Sequence, residues 1–541
     1  MYLSPFPTRR KEDLFRVLAD CRSDAPARQT FYDSCKRRYL SGGTPLDSAR
    51  VNKIGPFVEK KAALLYSPDS LRFWVNVPPD EESQESFHQT DPVADFLAEA
   101  WADTDSDVLF SEAVTWSLVN GASILTFIPE LKTNGEVNIV THLIDNPADF
   151  GVWRPGQTDL RRQQAMSLTT YWTLAELEIR LRHHPMGPKV LYELATHKPN
   201  QDSGGGVIEM GPSATVYKAD WNAARSYSYQ AQYPQTYYQL HDLYYFDDDR
   251  GDWMVATISG SCVLYDRPIE VVGLPGTPPF IKVCPNNIPG YFWGKSMVED
   301  LAKLQQWYSA RLEDMDDLFA KMLRPPKAAY GMGQGFEGKL ASLNRPGGKA
   351  AFPSMNSKVE EFKSMMSPEM FEMMSGIDVN FSSASNMEDL LQGKMPGGAK
   401  GEAGMGIAKR LGGAVISRQA LAIEKQVEDA AGLLLKLLAR YHADPLMDDN
   451  NKPFYLAQFA PNFTVKVDGR SSSPLNMDDT RQDALVLKKF GAITNTDLID
   501  MMHPAQANKF KRQQKKIQWI EMLAQKVVEI QQQQKRSGKA A

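Results

Sequence analysis

The chain has 541 residues, 42% of them apolar, with a mean hydropathy of -0.40, and its length allows roughly three or four domains. Its 61 bases against 66 acids give a net charge of -5, which argues against a generally basic nucleic-acid binder. It holds no uninterrupted apolar run of about 18 residues for a membrane span. Its four cysteines, Cys21, Cys35, Cys262 and Cys284, fit a reducing compartment without a disulfide framework.

The first 15 residues, MYLSPFPTRRKEDLF, have no apolar core after their bases, so no secretory signal is expected. Residues 10–66 carry apolar side chains at three- and four-residue spacing and predict helices. Residues 70–78 (SLRFWVNVP) alternate and predict a strand. Residues 92–120 read as helical with a break near 103–107. ASILTFIPE and GEVNIVTHLI predict a strand pair turning at 132–135, where Asn134-Gly135 is a favourable turn dipeptide. Thr173, with Glu176 three residues on, marks a capped short helix. Residues 198–236, rich in Gly, Ser, Asn, Gln and Tyr, read as an irregular insertion. YYQLHDLYYF, DWMVATISG and SCVLYDRPIEVV predict an antiparallel meander turning at 247–251. The first 290 residues are therefore read as α+β.

Residues 285–331 are the most informative stretch. A turn-rich lead (Pro285, Asn286, Asn287, Pro289, Gly290) reaches Gly294-Lys295-Ser296, and a helix runs on to about residue 323. Pro325-Pro326 stops it, because proline fixes φ and lacks an N–H. Met297, Leu301, Leu304, Tyr308, Met315, Leu318 and Met322 form a seam near period 3.5, with Arg311 in its one gap. That pattern belongs to a helix packed lengthwise on other helices, and these residues are the candidate oligomer seam. A helix of roughly 28 residues spans about 40 Å. Its other faces carry six acids (Glu299, Asp300, Glu313, Asp314, Asp316, Asp317) against four bases.

Residues 325–365 read as a small α/β module between two helices, and 367–391 as a weaker helix. The glycine-rich segment 392–401 follows, with Lys394 and Lys400 flanking Met395-Pro-Gly-Gly-Ala. It is either a plain connector or a mobile basic loop able to touch phosphates. A second very long helix is predicted over 402–442, with a kink expected near Gly412-Gly413. Residues 463–467 predict a strand, and 478–487, 495–502 and 509–534 predict helices. From residue 504 onward nine bases, among them Lys509, Lys511, Arg512, Lys515 and Lys516, face two acids. The tail is thus +7 and the rest of the chain -12.

No motif carries enzyme chemistry. Gly333-Gln-Gly-Phe-Glu-Gly338-Lys339 matches the start of a phosphate-binding loop, but Leu340 stands where Ser or Thr would hold Mg²⁺. No His or Cys pair has zinc spacing with a matching second pair. Asp247-Asp248-Asp249 could meet a hard cation, although acids in a hairpin turn are usually solvated. No catalytic residue, cofactor or metal site is assigned.

The order of the pieces resembles the portal (head–tail connector) proteins of tailed bacteriophages. The likeness is carried by Gly294-Lys295-Ser296 opening a helix with Leu304-Gln305-Gln306, and by the Arg324-Pro325-Pro326 stop. It is carried too by Arg470-Ser471-Ser472-Ser473-Pro474 before a helix ending Phe490-Gly491-Ala492-Ile493-Thr494, and by Leu65-Tyr66-Ser67-Pro68. The resemblance implies a wing at 1–290, a first stem helix at 291–323, a clip at 324–366 and a second stem helix at 367–391. It further implies a channel loop at 392–403, a long kinked helix completing the wing at 404–469, and a crown at 470–541. The implied assembly is a homo-oligomeric ring, commonly of twelve subunits, at one capsid vertex of the virion. Double-stranded DNA would pass through it. Its partners would be the terminase packaging motor, scaffolding and major capsid proteins, and tail or adaptor proteins, with no membrane and no cofactor. Lys394 and Lys400 become candidate DNA contacts, and the basic residues 509–516 candidate crown contacts. The alternatives are a nucleotide-binding enzyme using Gly333 to Lys339, or another phage head–tail adaptor protein.

Overall fold

A computed structural model describes residues 11–41, 51–68, 71–76, 84–131, 137–182, 207–209, 236–259, 262–271, 273–323, 327–330, 358–361, 368–385, 402–448, 452–458, 463–467 and 485–490, with the single positions 188, 191 and 498. The fold is α+β. Every described strand pairing is antiparallel, and the strands fall into five separate sheets.

The N-terminal helices are α1 (Lys11–Arg22), α2 (Ala25–Ser41) and α3 (Ile54–Leu65), and the strand expected over 70–78 is β1 (Phe73–Asn76). The next helix starts earlier than expected: α4 spans Gln84–Asp103 and holds Pro92 inside it. α5 (Ser106–Asn120) begins after Asp105, whose φ of 53° makes the break read near 103–107. β2 (Ser123–Leu131) and β3 (Val137–Leu143) are the expected pair. Their turn at 132–135 lies outside the described residues.

A six-stranded sheet runs in the order β4 (Phe150–Val152), β5 (Ala165–Thr173), β7 (Thr236–Asp247), β8 (Asp252–Ser259) and β9 (Cys262–Pro268). β6 (Val207–Glu209) adds to β7 beside β8, so the stretch expected to be irregular contributes a strand. The predicted meander is only half of this sheet, because β7 is paired along its other edge by β5. α6 (Leu174–Leu181) starts at the predicted capping box between Thr173 and Glu176. Successive strand side chains face opposite ways. Leu243 and Tyr245 join Met254 and Ala256 beneath α1, while Tyr244 and Val255 meet Phe150, Phe280, Phe292 and Trp293. Burial on both faces makes β8 a nearly continuous buried run.

β10 (Phe280–Val283) lies on the free edge of β2 and leads to α7 (Met297–Leu323). β11 (Lys327–Tyr330) and β12 (Lys358–Glu361) form a ribbon, the described part of the expected α/β module. α8 (Pro368–Ala384) is the weaker helix, and α9 (Glu402–Tyr441) is α-helical over all 40 residues. A small hairpin, β13 (Leu446–Met447) and β14 (Pro453–Phe454), follows. β15 (Thr464–Val467) then returns to pair with β1, Phe73 opposite Val467. The largest core lies among α3, α5, α9, β1 and β15, with Ile54, Val58, Leu118, Val427, Leu434 and Leu437 fully buried. Gln426 of α9 locks onto the end of β10. Its amide oxygen accepts the Cys284 N–H at 2.9 Å and its amide nitrogen donates to the Cys284 carbonyl at 3.0 Å.

Candidate assembly surface

The start of α7 is built at a close backbone crossing. Gly121 (φ 96°) and Gly294 (φ 70°) touch back to back. A Cβ on Gly121 would lie 2.7 Å from the Trp293 carbonyl oxygen, and one on Gly294 would lie 2.7 Å from the Gly121 carbonyl oxygen. Only glycine fits, in sterics and in φ. Ser296 then caps the helix, its Oγ accepting from the N–H groups of Val298 (3.1 Å) and Glu299 (3.4 Å) while donating to the Val119 carbonyl. Glu299 and Asp300 in the first turn complement the positive end of the helix.

The candidate seam divides in two. Met297, Leu301 and Tyr308 are buried inside the protomer, and Leu304 packs on the same core at its edge. The expectation that this half of the seam meets neighbouring subunits is corrected: α2, α3, α5 and α8 already cover it. Period 3.5 reports that a helix is packed on helices, and does not say whose. Met315 and Leu318 are half-buried and Met322 is exposed.

α7 and α8 run antiparallel. The ribbon pairs Lys327 with Glu361 and so brings the end of α7 near the start of α8, while Tyr308 meets Phe381 edge-on at 6.4 Å deeper in. With equal rise per residue, that register sets Phe319 about level with Phe371. In this distal region apolar side chains stand in solvent: Leu323 is 83% exposed, Phe371 55%, Phe319 44% and Met322 43%. Val379 and Met373 on α8 and Trp307 on α7 are exposed as well. Single exposed apolar residues are ordinary, whereas several on one helix pair make this a candidate contact surface. Among the α7 acids, Asp300 pairs with Lys295 at 2.7 Å and Asp314 with Arg311 at 2.7 Å, both at the surface.

The inner half of the pair is fastened to α3 in register. Lys53, Phe57 and Lys61, four residues apart on one face, meet Asp378, Phe381 and Ser385 respectively. Lys53 forms an ion pair with Asp378 and lies 4.3 Å above the Tyr308 ring. Phe57 stacks on Phe381 with centroids 5.9 Å apart. Lys61 donates to the Ser385 carbonyl at 3.0 Å and is only 2% exposed. Burial lowers the Lys61 ammonium to a pKa of about 8, against which Asp300 acts weakly. The lead into α3 is held by buried Gln305 of α7, which accepts the Lys53 N–H and donates to the Val51 carbonyl, both at 3.0 Å. These lysines were not among the candidate site residues, and Gln305 appeared only within the Leu304-Gln305-Gln306 run of the resemblance. Their only signal is the i, i+4, i+8 spacing of Lys53, Phe57 and Lys61.

Lys394, Lys400, the 333–340 glycine loop and the basic residues Lys509, Lys511, Arg512, Lys515 and Lys516 lie outside the described residues. At the β7–β8 turn the Asp247 carboxylate accepts the Asp249 N–H at 3.1 Å and sits 3.9 Å from the Arg250 guanidinium. Among the described residues no group of three or more His, Cys, Asp or Glu could hold a metal, and no helix is long and apolar enough to cross a membrane. No family model matches the chain, and neither does any curated protein.

Proposed function

We propose that the chain is a phage portal protein, the subunit of a ring-shaped DNA channel at one capsid vertex. In that reading α7 and α8 are the two stem helices, the β11–β12 ribbon belongs to the clip, and α9 carries the chain back into the wing. The observation that carries it is the apolar surface of the α7–α8 pair, with Phe319, Met322, Leu323 and Phe371 in solvent. Among the described residues of one protomer no second layer covers them, and a closed ring of identical copies would supply one to every subunit. The excess of acids on α7 also suits a channel wall that must not grip DNA, because each phosphate contact adds salt-dependent affinity. The packaging motor, not this chain, would hydrolyse ATP. Negatively stained images of the purified protein test the reading directly. Rings with a central hole are expected; a monodisperse monomer at micromolar concentration would overturn it.

A further inference from the structure

The register between α3 and α8 ends on an unusual contact. Lys61 is nearly sealed from solvent, yet among the described residues its ammonium has a single acceptor, the Ser385 carbonyl at 3.0 Å. Ser385 closes the last turn of α8, its N–H bonded to the Phe381 carbonyl at 3.0 Å. Lys61 forms no ion pair with a described residue. Of the acids near it, Asp300 on α7 acts only at a distance. Asp378 on α8 is taken by Lys53, and Glu59 on α3 accepts the Tyr39 hydroxyl at 3.3 Å. A buried charge with a single neutral acceptor is costly to hold.

We propose that Lys61 is the positioning residue for the end of α8: it holds the last turn in place against the cost of its own buried charge, and so fixes where the chain after Ser385 departs. Opening that turn would return the ammonium to water. The contact is therefore the weak point of an otherwise tight α3–α8 register, and it tightens when Lys61 loses its proton. Only the significance of that departure point, as the root of the 392–403 channel loop, rests on the portal reading.

The sign follows from linkage. The closed turn favours the neutral amine, with a pKa of about 8, while the open turn restores the ordinary value near 10.4. Closing is thus favoured as pH rises, by about tenfold between pH 7 and pH 9. The experiment is amide hydrogen exchange by mass spectrometry on the full chain from pH 7 to 9, corrected for intrinsic exchange. α8 peptides ending at Ser385 are read against α9 peptides over 427–439. In the wild type, α8-end protection should rise about tenfold relative to α9. Lys61→Met, with no titrating group, and Lys61→Arg, which stays charged, should both be flat with pH, Lys61→Arg being the less protected. A wild-type profile as flat as that of Lys61→Arg would overturn the proposal, and this comparison stands even if Lys61→Met fails to fold. DNA retention separates the two readings: the expected pH profile with unchanged DNA handling in folded Lys61→Met would support the clamp and count against the channel-loop reading.

Discussion

Replacing Phe319, Met322, Leu323 and Phe371 together by serine removes the exposed apolar cluster at the distal end of α7 and α8. The protomer should hardly notice, because these side chains already stand in water and surface substitutions usually stay within about 0.5 kcal/mol. The assembly should notice strongly. Burying a large apolar side chain yields about 1.5–3 kcal/mol. Scaled by exposure, a covering neighbour would gain about 2 kcal/mol at Leu323 and about 1 kcal/mol at each of the other three. Ordering four side chains costs about 0.5 kcal/mol or more apiece. What remains is about 2–3 kcal/mol per contact, roughly a hundredfold in association. Sedimentation velocity at micromolar protein, beside thermal melting at a dilution where both proteins are monomeric, measures both halves of the expectation: smaller particles with an unchanged protomer melt. An unchanged assembly mass would refute the reasoning. So would a collapsed melt, since it would mean that these side chains stabilise the protomer itself. A test placed at Leu304 could not make this distinction, because Leu304 packs on the protomer's own core.

Ser296→Ala should lower stability by about 1–2 kcal/mol, read as a shift in urea midpoint, because it strips the α7 cap. His241 is buried against Arg22 and Thr169, and burial followed by the Arg22 charge lowers its pKa to about 3. The folded state therefore refuses a proton that the unfolded chain takes up below about 6.5, so stability should fall by up to about 1.4 kcal/mol per pH unit below pH 6. His241→Gln should flatten that limb between pH 7 and 5, and an unaltered slope would show that other groups set it. Calorimetry with Mg·ATP should show no binding at Gly333 to Leu340, since Leu340 offers Mg²⁺ no oxygen; a micromolar constant lost in Lys339→Ala would overturn that.

Local signals were legible in the sequence where the chemistry was local. The Thr173–Glu176 capping box, the β7–β8 turn and the α7 start all answer to neighbours within a few residues. Pairings across long separations left no such mark. Nothing in FWVN announces that β1 will meet TVKV of β15, and AMSLTTYWT of β5, with no strict alternation, was not assigned as a strand although it flanks the longest strand of the sheet. The α7 seam shows a subtler limit. Its spacing correctly marks a packed face, but the first half is covered within the protomer and the apolar surface left over sits near the tip. Lys61 was illegible for a related reason: a lysine in a helix reads as a solvated charge until the fold seals it beneath Ser385.

The expected channel loop 392–403, whose last two residues belong to α9, bears the last expectation. Its glycines, Gly393, Gly397, Gly398 and Gly401, lower the cost of changing backbone state, and Pro396 disfavours its absorption into either flanking helix. In a ring of identical subunits each copy would bring one Lys394 and one Lys400 toward the axis. Phosphate contacts made there are screened over about 8 Å at physiological salt, and each adds only a modest, salt-dependent increment of affinity. Weak contact suits a moving duplex, because a tight grip would stall it. Lys394→Ala with Lys400→Ala should therefore leave ring mass and thermal melting unchanged, while altering the rate of DNA packaging or the retention of packaged DNA. The alteration should shrink as salt is raised, the mark of a charge contact rather than a steric one. Wild-type packaging and retention at every salt concentration would reduce the segment to a plain connector between α8 and α9.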